Sequence, residues 1–306
     1  MARPLILLTG ANGQLGFELA RLLAAHATII ATDRIALDLA DADAIASAVR
    51  DAKPDLIVNA GAFTAVDHAE SQREAAFAIN AHAPGVLAEE AKRAGALLIH
   101  YSTDYVFDGT SGVPYDETAP ANPLSVYGAS KLEGERAIGA ANAQALIFRT
   151  SWVYGLRGKN FLLAIRRLAA ERSELRIVAD QTGTPNWSRT LAQATTALVA
   201  RGLPYLATRT GLYHLSCAGE TTWYDFARAI LSEMSSDVSR EIPPPRVVPI
   251  ATKEYPTPAR RPAYGVLSTR KFTATFGDTL PGWRDALAAC LSGGPLVDSM
   301  SAQPRG

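Results

Sequence analysis

The sequence predicts an α/β fold: a Rossmann-type doubly wound parallel sheet with a smaller α+β substrate-binding lobe. Three observations carry this reading. Short, continuous apolar runs alternate with longer helical patterns through the first half of the chain, as strands buried on both faces of a parallel sheet require. A glycine-rich turn separates the first strand from the first helix within the opening 16 residues. After about residue 151 the alternation loosens, and prolines gather at 243–245, 256, 258 and 262.

The elements follow in order. "PLILLTG" is a buried strand and "LGFELARLLAAH" an amphipathic helix. "ATIIATD" and "ADADAIASAVRD" repeat the pair, and "PDLIVNAG" is the third strand. Residues 70–94 form a long helix bent near Pro84. "ALLIHYST" is strand four, "VYGASKLEGERAIGAA" a helix and "ALIFRTSW" strand five. Beyond them, short strands ("LRIVAD", "LYHLS", "RVVPI") mix with helices near 188–201, 222–235 and 283–292. This divides the chain into a dinucleotide-binding domain at 1–150, a mainly substrate-binding lobe at 151–292 with some segments returning to the first domain, and a disordered tail at 293–306.

Composition excludes several classes. Thirty basic and thirty acidic residues cancel, so nothing points to a nucleic-acid partner. Cys217 and Cys290 lie far apart without C-x-x-C spacing, which argues against a disulfide scaffold and for a reducing, cytoplasmic setting. The opening apolar run is too short for an export signal. No run approaches the roughly twenty residues that span a bilayer, so no membrane association is expected.

"TGANGQLG" places Gly10, Gly13 and Gly16 at G-x-x-G-x-x-G spacing between a strand and a helix. Glycines there allow a tight turn and let backbone N–H groups approach a pyrophosphate, to which the helix N-terminus adds positive potential. The loop residues Asn12, Gln14 and Leu15 belong to the same candidate cofactor site, with NADPH or NADH as the cofactor. Asp33 ends strand two, where an acid binds the adenosine ribose 2′-hydroxyl and disfavours a 2′-phosphate. Arg34 follows and favours that phosphate, so the choice between the cofactors stays open. Asp38 and Leu39 are placed beside the adenine. Ala60, Gly61 and Ala62, after strand three, are small enough for the cofactor to lie close to backbone.

Tyr127 and Lys131 stand at i and i+4, on one helix face, about 6 Å apart along the axis at ~1.5 Å per residue. A free tyrosine has a pKa of about 10, and a nearby ammonium lowers it. Thr103 closes strand four, at the sheet edge where ligands bind in such folds, and its hydroxyl can donate to a carbonyl oxygen. Together the three suit proton transfer at a carbonyl that accepts hydride from a nicotinamide.

The glycine spacing, Ser102-Thr103 and Tyr127-x-x-x-Lys131 resemble the extended short-chain dehydrogenase/reductases. "GANGQLG", "TAVDHAE", "HYSTDYVFDG", "VYGASKLEGE", "FRTSWVYG", "DQTGTP" and "YPTPARRP", in this order, resemble the dTDP-4-dehydrorhamnose reductase family over residues 10–262. The resemblance implies reduction of a nucleotide-sugar C4 carbonyl. Tyr127 would donate the proton, Lys131 would bind the nicotinamide ribose, and Thr103 would polarise the carbonyl. It also implies that Thr64, Val66 and Asp104 border the sugar and that Trp152 packs against it.

Asn160, Arg260 and Arg261 are candidates for the diphosphate, because a guanidinium fork can make two parallel bonds to phosphate; the sequence does not choose between the two arginines. The five histidines (26, 68, 82, 100, 214) show no metal-ligand spacing. Some relatives hold Mg²⁺ with carboxylates at a dimer contact. Here Glu18 matches one such position, but Arg189 and Gly282 stand where other acids align. One carboxylate is a poor Mg²⁺ site, so no metal and a monomer or weak homodimer are expected. Asn186 departs from the threonine usual in "DQTGTP-x-x" segments. Two other functions fit the motifs less closely: another nucleotide-sugar reductase or epimerase, with a 6-deoxy-talose product, and a regulatory subunit of methionine adenosyltransferase.

Overall fold

The computed structural model describes residues 3–235 and 244–293. The tail expected at 293–306 falls, from 294 onward, outside the described residues. The first half alternates strand and helix: β1 (Leu5–Thr9), α1 (Gln14–Leu23), β2 (Thr28–Thr32), α2 (Ala42–Ala52) and β3 (Leu56–Asn59). Short helices α3 (Val66–Ala69) and α4 (Arg73–Phe77) lead through a π turn (Ala78–His82) into α5 (Ala83–Ala94), followed by β4 (Leu97–Thr103), α6 (Val126–Ala141) and β5 (Ala145–Thr150).

β1, β3, β4 and β5 are buried along nearly their whole length because helices cover both faces of the sheet. β2 differs from the expected two-faced burial: it is the edge strand, and Ile30 is 37% exposed. In place of one helix over 70–94, the helical run begins at Arg73 and is interrupted by the π turn at Ala78–His82, just before Pro84. The extra residue turns Asn80 inward, where it bonds the Phe63 N–H and C=O and the Ser130 hydroxyl.

In the second half, β6 (Val153–Tyr154) pairs with β9 (Asn186–Trp187), β7 (Glu174–Val178) with β12 (Arg246–Ile250), and β8 (Thr182–Gly183) with β11 (Thr221–Thr222). Helices α7 (Phe161–Glu171) and α10 (Trp223–Ser235) pack together beside them. Other segments turn back to the main sheet. β10 (Gly211–His214) adds to β5 as a sixth parallel strand, and α8 (Ser188–Ala200) packs along α1. The sheet order is β10-β5-β4-β3-β1-β2. The chain therefore reverses direction between β1 and β3, and the crevice beyond the strand ends there is where such sheets bind ligands.

Candidate active site

A cleft of about 920 Å³ opens at that reversal and runs from the glycine loop to the second-half segments. Of the residues the sequence pointed to, it is lined by Gly10, Asn12, Gly13, Gln14, Leu15, Asp33, Arg34, Asp38, Leu39, Ala60, Gly61, Ala62, Thr64, Val66, Thr103, Asp104, Tyr127, Lys131, Trp152 and Asn160. Two do not line it. Gly16 lies behind the loop: a Cβ there would sit 2.1 Å from the Gly10 carbonyl oxygen, so its part is close packing of helix on turn. Arg260 is exposed, and its neighbour Arg261 faces the cleft instead. Successive residues of a non-helical segment point to opposite sides, and Arg261 is the one held inward. Its guanidinium bonds both oxygens of Asp67, at 3.2 and 2.8 Å, and so ties the 257–261 segment to α3. That bond is the first reason the Asp67 carboxyl lies below its ordinary pKa.

The cofactor end of the cleft fits a dinucleotide. Gly13 begins α1 in an extended conformation, no side chain caps the first turn, and no acid lies in it. The free N–H groups at that terminus match an anionic pyrophosphate. Asp33 is already engaged: its carboxylate accepts from the Ile35 and Ala36 N–H groups, both at 2.9 Å, and from the Asn12 amide at 2.6 Å. Arg34 lines the cleft and, among the described residues, makes no hydrogen bond or ion pair.

The chemical end is built by β4 and α6. Ser125 caps α6 by accepting from the Gly128 N–H. A Cβ on Gly128 would meet the Tyr105 carbonyl at 2.2 Å, so glycine lets the helix start press against the turn after β4. This brings Tyr127 beside Thr103, whose hydroxyl donates to Asp104 Oδ1 at 3.1 Å. The Tyr127 ring packs edge-on to Tyr105, with centroids 5.5 Å apart. Burial raises the Tyr127 pKa to about 12, with Thr103 opposing, so the phenol is protonated at neutral pH. The ammonium-driven lowering expected from the sequence is not what the protein's own groups produce. Lys131 bonds the Tyr101 carbonyl at 2.6 Å, and its pKa is brought down by burial to about 8, Glu135 pulling the other way. Asp104, buried next to Thr103, is pushed up by desolvation to about 7.

Trp152 takes a left-handed backbone conformation (φ 41°), rare for a bulky side chain. Its ring stacks on Trp223, centroids 3.5 Å apart and planes within 10°. Phe161 also packs on Trp223, with ring centroids 4.6 Å apart. Trp223 and Phe161 line the cleft but carry no motif that marks them in the sequence. The same is true of Thr150, whose buried hydroxyl lines the cleft without a partner. Asn160 caps α7 and bonds Gln14, linking the second half to the glycine loop.

Glu18 does not stand free. Arg189 and Arg21 both bond its carboxylate, and together they hold its pKa below the ordinary value against the opposing effect of burial. Among the described residues, no group of three His, Cys, Asp or Glu side chains is placed to hold a metal. No helix among them is long and apolar enough to cross a membrane.

The fold and the cleft define a Rossmann-type oxidoreductase that uses a nicotinamide dinucleotide. A family profile described as the RmlD substrate binding domain matches residues 4–294. The chain is 48% identical over 290 residues to a dTDP-4-dehydrorhamnose reductase of Burkholderia thailandensis, covering 94% of this chain and 97% of that one. It is 45% identical to that of Escherichia coli K12, covering 91% and 94%. The crystal structure of dTDP-4-dehydrorhamnose reductase from Bacillus anthracis in complex with NADP superposes with a TM-score of 0.88, at 32% identity over 95% of this chain and 100% of the other. The chain belongs to the RmlD substrate binding domain family, that of the dTDP-4-dehydrorhamnose reductases.

Proposed function

We propose that this protein reduces the C4 carbonyl of dTDP-4-dehydro-L-rhamnose to give dTDP-L-rhamnose, the last step of dTDP-rhamnose synthesis. The observation that carries the reading is a protonated tyrosine and a threonine hydroxyl side by side at the end of a dinucleotide cleft. A bound nicotinamide dinucleotide supplies the hydride that C4 accepts. Thr103 and Tyr127 address the same substrate oxygen: Thr103 donates a hydrogen bond to the carbonyl, and Tyr127 gives its proton to the developing alkoxide. Lys131 provides a cation beneath the nicotinamide ribose, which favours the phenolate left behind. Trp152, fixed by Trp223, forms the wall for the sugar ring, and Thr64, Val66 and Asp104 complete its surroundings. Arg261, which lines the cleft, rather than Arg260 is the candidate for the diphosphate.

Arg34 favours NADPH over NADH, since Asp33 is occupied by its own turn and by Asn12. Residues 1–150 are mainly the cofactor domain and 151–292 mainly the substrate lobe. The protein acts in the cytoplasm, without nucleic-acid partners, as a monomer or weak homodimer. No Mg²⁺ joins its subunits, because Glu18 is satisfied by two arginines.

The test supplies dTDP-4-dehydro-L-rhamnose generated in situ with NADPH and, separately, NADH. Cofactor oxidation is followed, and the sugar is identified by NMR. A rhamnose product, lost in Tyr127→Phe, is expected. A talose product would overturn the substrate pose, and no turnover with intact cofactor binding would overturn the substrate.

A further inference from the structure

A row of buried polar side chains crosses the sheet beneath the cleft. Thr9, Asn59 and His100 are cross-strand neighbours on β1, β3 and β4, in register Thr9↔Asn59 and Asn59↔His100. None is more than 1% exposed. The Thr9 hydroxyl donates to Asn59 Oδ1 at 2.7 Å, Asn59 Nδ2 donates to His100 Nδ1 at 3.0 Å, and His100 Nε2 lies 3.3 Å from Lys131 Nζ. Such a row at the centre of a sheet has no role in packing that apolar residues would not fill better. It ends on the amine that the proposed reaction uses.

The hydrogens of this row form two self-consistent arrangements. If Lys131 is an ammonium, it has no lone pair, so His100 Nε2 must accept. The proton then sits on Nδ1 and needs an acceptor, so Asn59 turns its Oδ1 to His100 and its Nδ2 to the Thr9 oxygen, which can accept. If Lys131 is a neutral amine, the row reverses. Thr9 donates to Asn59 Oδ1, Asn59 Nδ2 donates to His100 Nδ1, and His100 Nε2–H donates to the Lys131 lone pair. Asn59 passes from one arrangement to the other by a half-turn of its nearly isosteric amide.

We propose that His100 is a positioning residue for Lys131: when that amine is an ammonium the Asn59 amide makes its half-turn, and in the resulting Nδ1–H tautomer His100 Nε2 accepts a hydrogen from the ammonium and keeps it charged and directed at the cleft. This rests on the reading of Lys131 given above. The other groups facing the amine do not substitute for it. The Tyr101 carbonyl takes one hydrogen. Glu135, one turn along α6, is drawn away by Arg149 Nε and Nη2 and by the Ser102 hydroxyl. The Tyr101 phenol points to the other face of the sheet, to Thr195. On His100 itself the acting charge is that of Lys131, which together with burial holds the imidazole neutral.

The test reads the tautomer and then its effect. In the full chain labelled with ¹⁵N-histidine, the His100 signal is the non-titrating one that Lys131→Met perturbs. His214, also buried, lies on another strand and does not respond. At pH 7 the Nδ1–H tautomer is expected, passing to Nε2–H as Lys131 loses its proton. An Nε2–H tautomer at pH 7, or an imidazolium titrating near the free value of about 6.5, overturns the proposal.

Kinetically, His100→Phe removes the acceptor, so the basic limb of kcat/KM moves down by about one pH unit, with KM for the sugar unchanged. His100→Gln, which can both accept and donate, restores much of that shift. A loss of rate equal at all pH values would make His100 merely structural and sink the idea. If instead Lys131→Met keeps full activity, it is the Lys131 assignment that falls, whichever tautomer His100 shows.

Discussion

Lys131→Met separates what this amine costs the fold from what it does in the cleft. Lys131 is 2% exposed, and burial brings its pKa from an ordinary 10.5 to about 8. The folded value lies below the unfolded one. The cost of carrying the charge is therefore complete at low pH and fades as pH rises from about 8 to 10.5. At about 1.4 kcal/mol per tenfold change, that cost is about 3 kcal/mol at pH 7 and roughly 1 kcal/mol at pH 9.5. Methionine removes it at every pH. It also leaves the Tyr101 carbonyl and His100 Nε2 without their partner, which costs about 1–3 kcal/mol independently of pH. The stability of the variant relative to the parent should thus fall by about 2 kcal/mol between pH 7 and pH 9.5. Urea unfolding of both proteins at the two pH values measures it, because other titrating groups cancel in the comparison. Turnover should fall at least about a hundredfold. A stability difference constant to within about 0.5 kcal/mol across that range would refute the reasoning, since it would mean the amine is not desolvated in the folded state.

Arg34→Ala should raise KM for NADPH about tenfold or more and leave KM for NADH within about twofold, as expected for loss of a charge-assisted phosphate contact; initial-rate kinetics with both cofactors decide it. Gly16→Ala forces a Cβ onto the Gly10 carbonyl and should weaken cofactor binding at least about tenfold by fluorescence titration, because the loop must move. Glu135→Gln leaves the buried Arg149 without its counter-charge and should cost about 3–5 kcal/mol in urea unfolding, whereas an apolar replacement of both partners should recover most of that loss. EDTA should leave the thermal midpoint within about 1 °C, and Arg189→Ala should lower it by about 2–4 °C, since Glu18 is held by arginines rather than by an ion.

The fold class and the chemical core were legible in the sequence because both are local. Strands buried on two faces must be continuous apolar runs, a phosphate turn needs glycines at close spacing, and residues four apart on a helix share a face. Thus β1, the Gly10–Gly16 turn and Tyr127 with Lys131 could be read from short windows. What only the tertiary structure decided are contacts between distant segments, which no local period encodes. The return of β10 to the main sheet, the stacking of Trp223 on Trp152 and the inward turn of Arg261 rather than Arg260 are of this kind. So are the pairing of Glu18 with Arg189 and the row from Thr9 to His100. The electrostatic state of Tyr127 belongs with them. Its spacing from Lys131 suggested a lowered pKa, but burial, a property of the whole fold, raises it and keeps the phenol ready to donate.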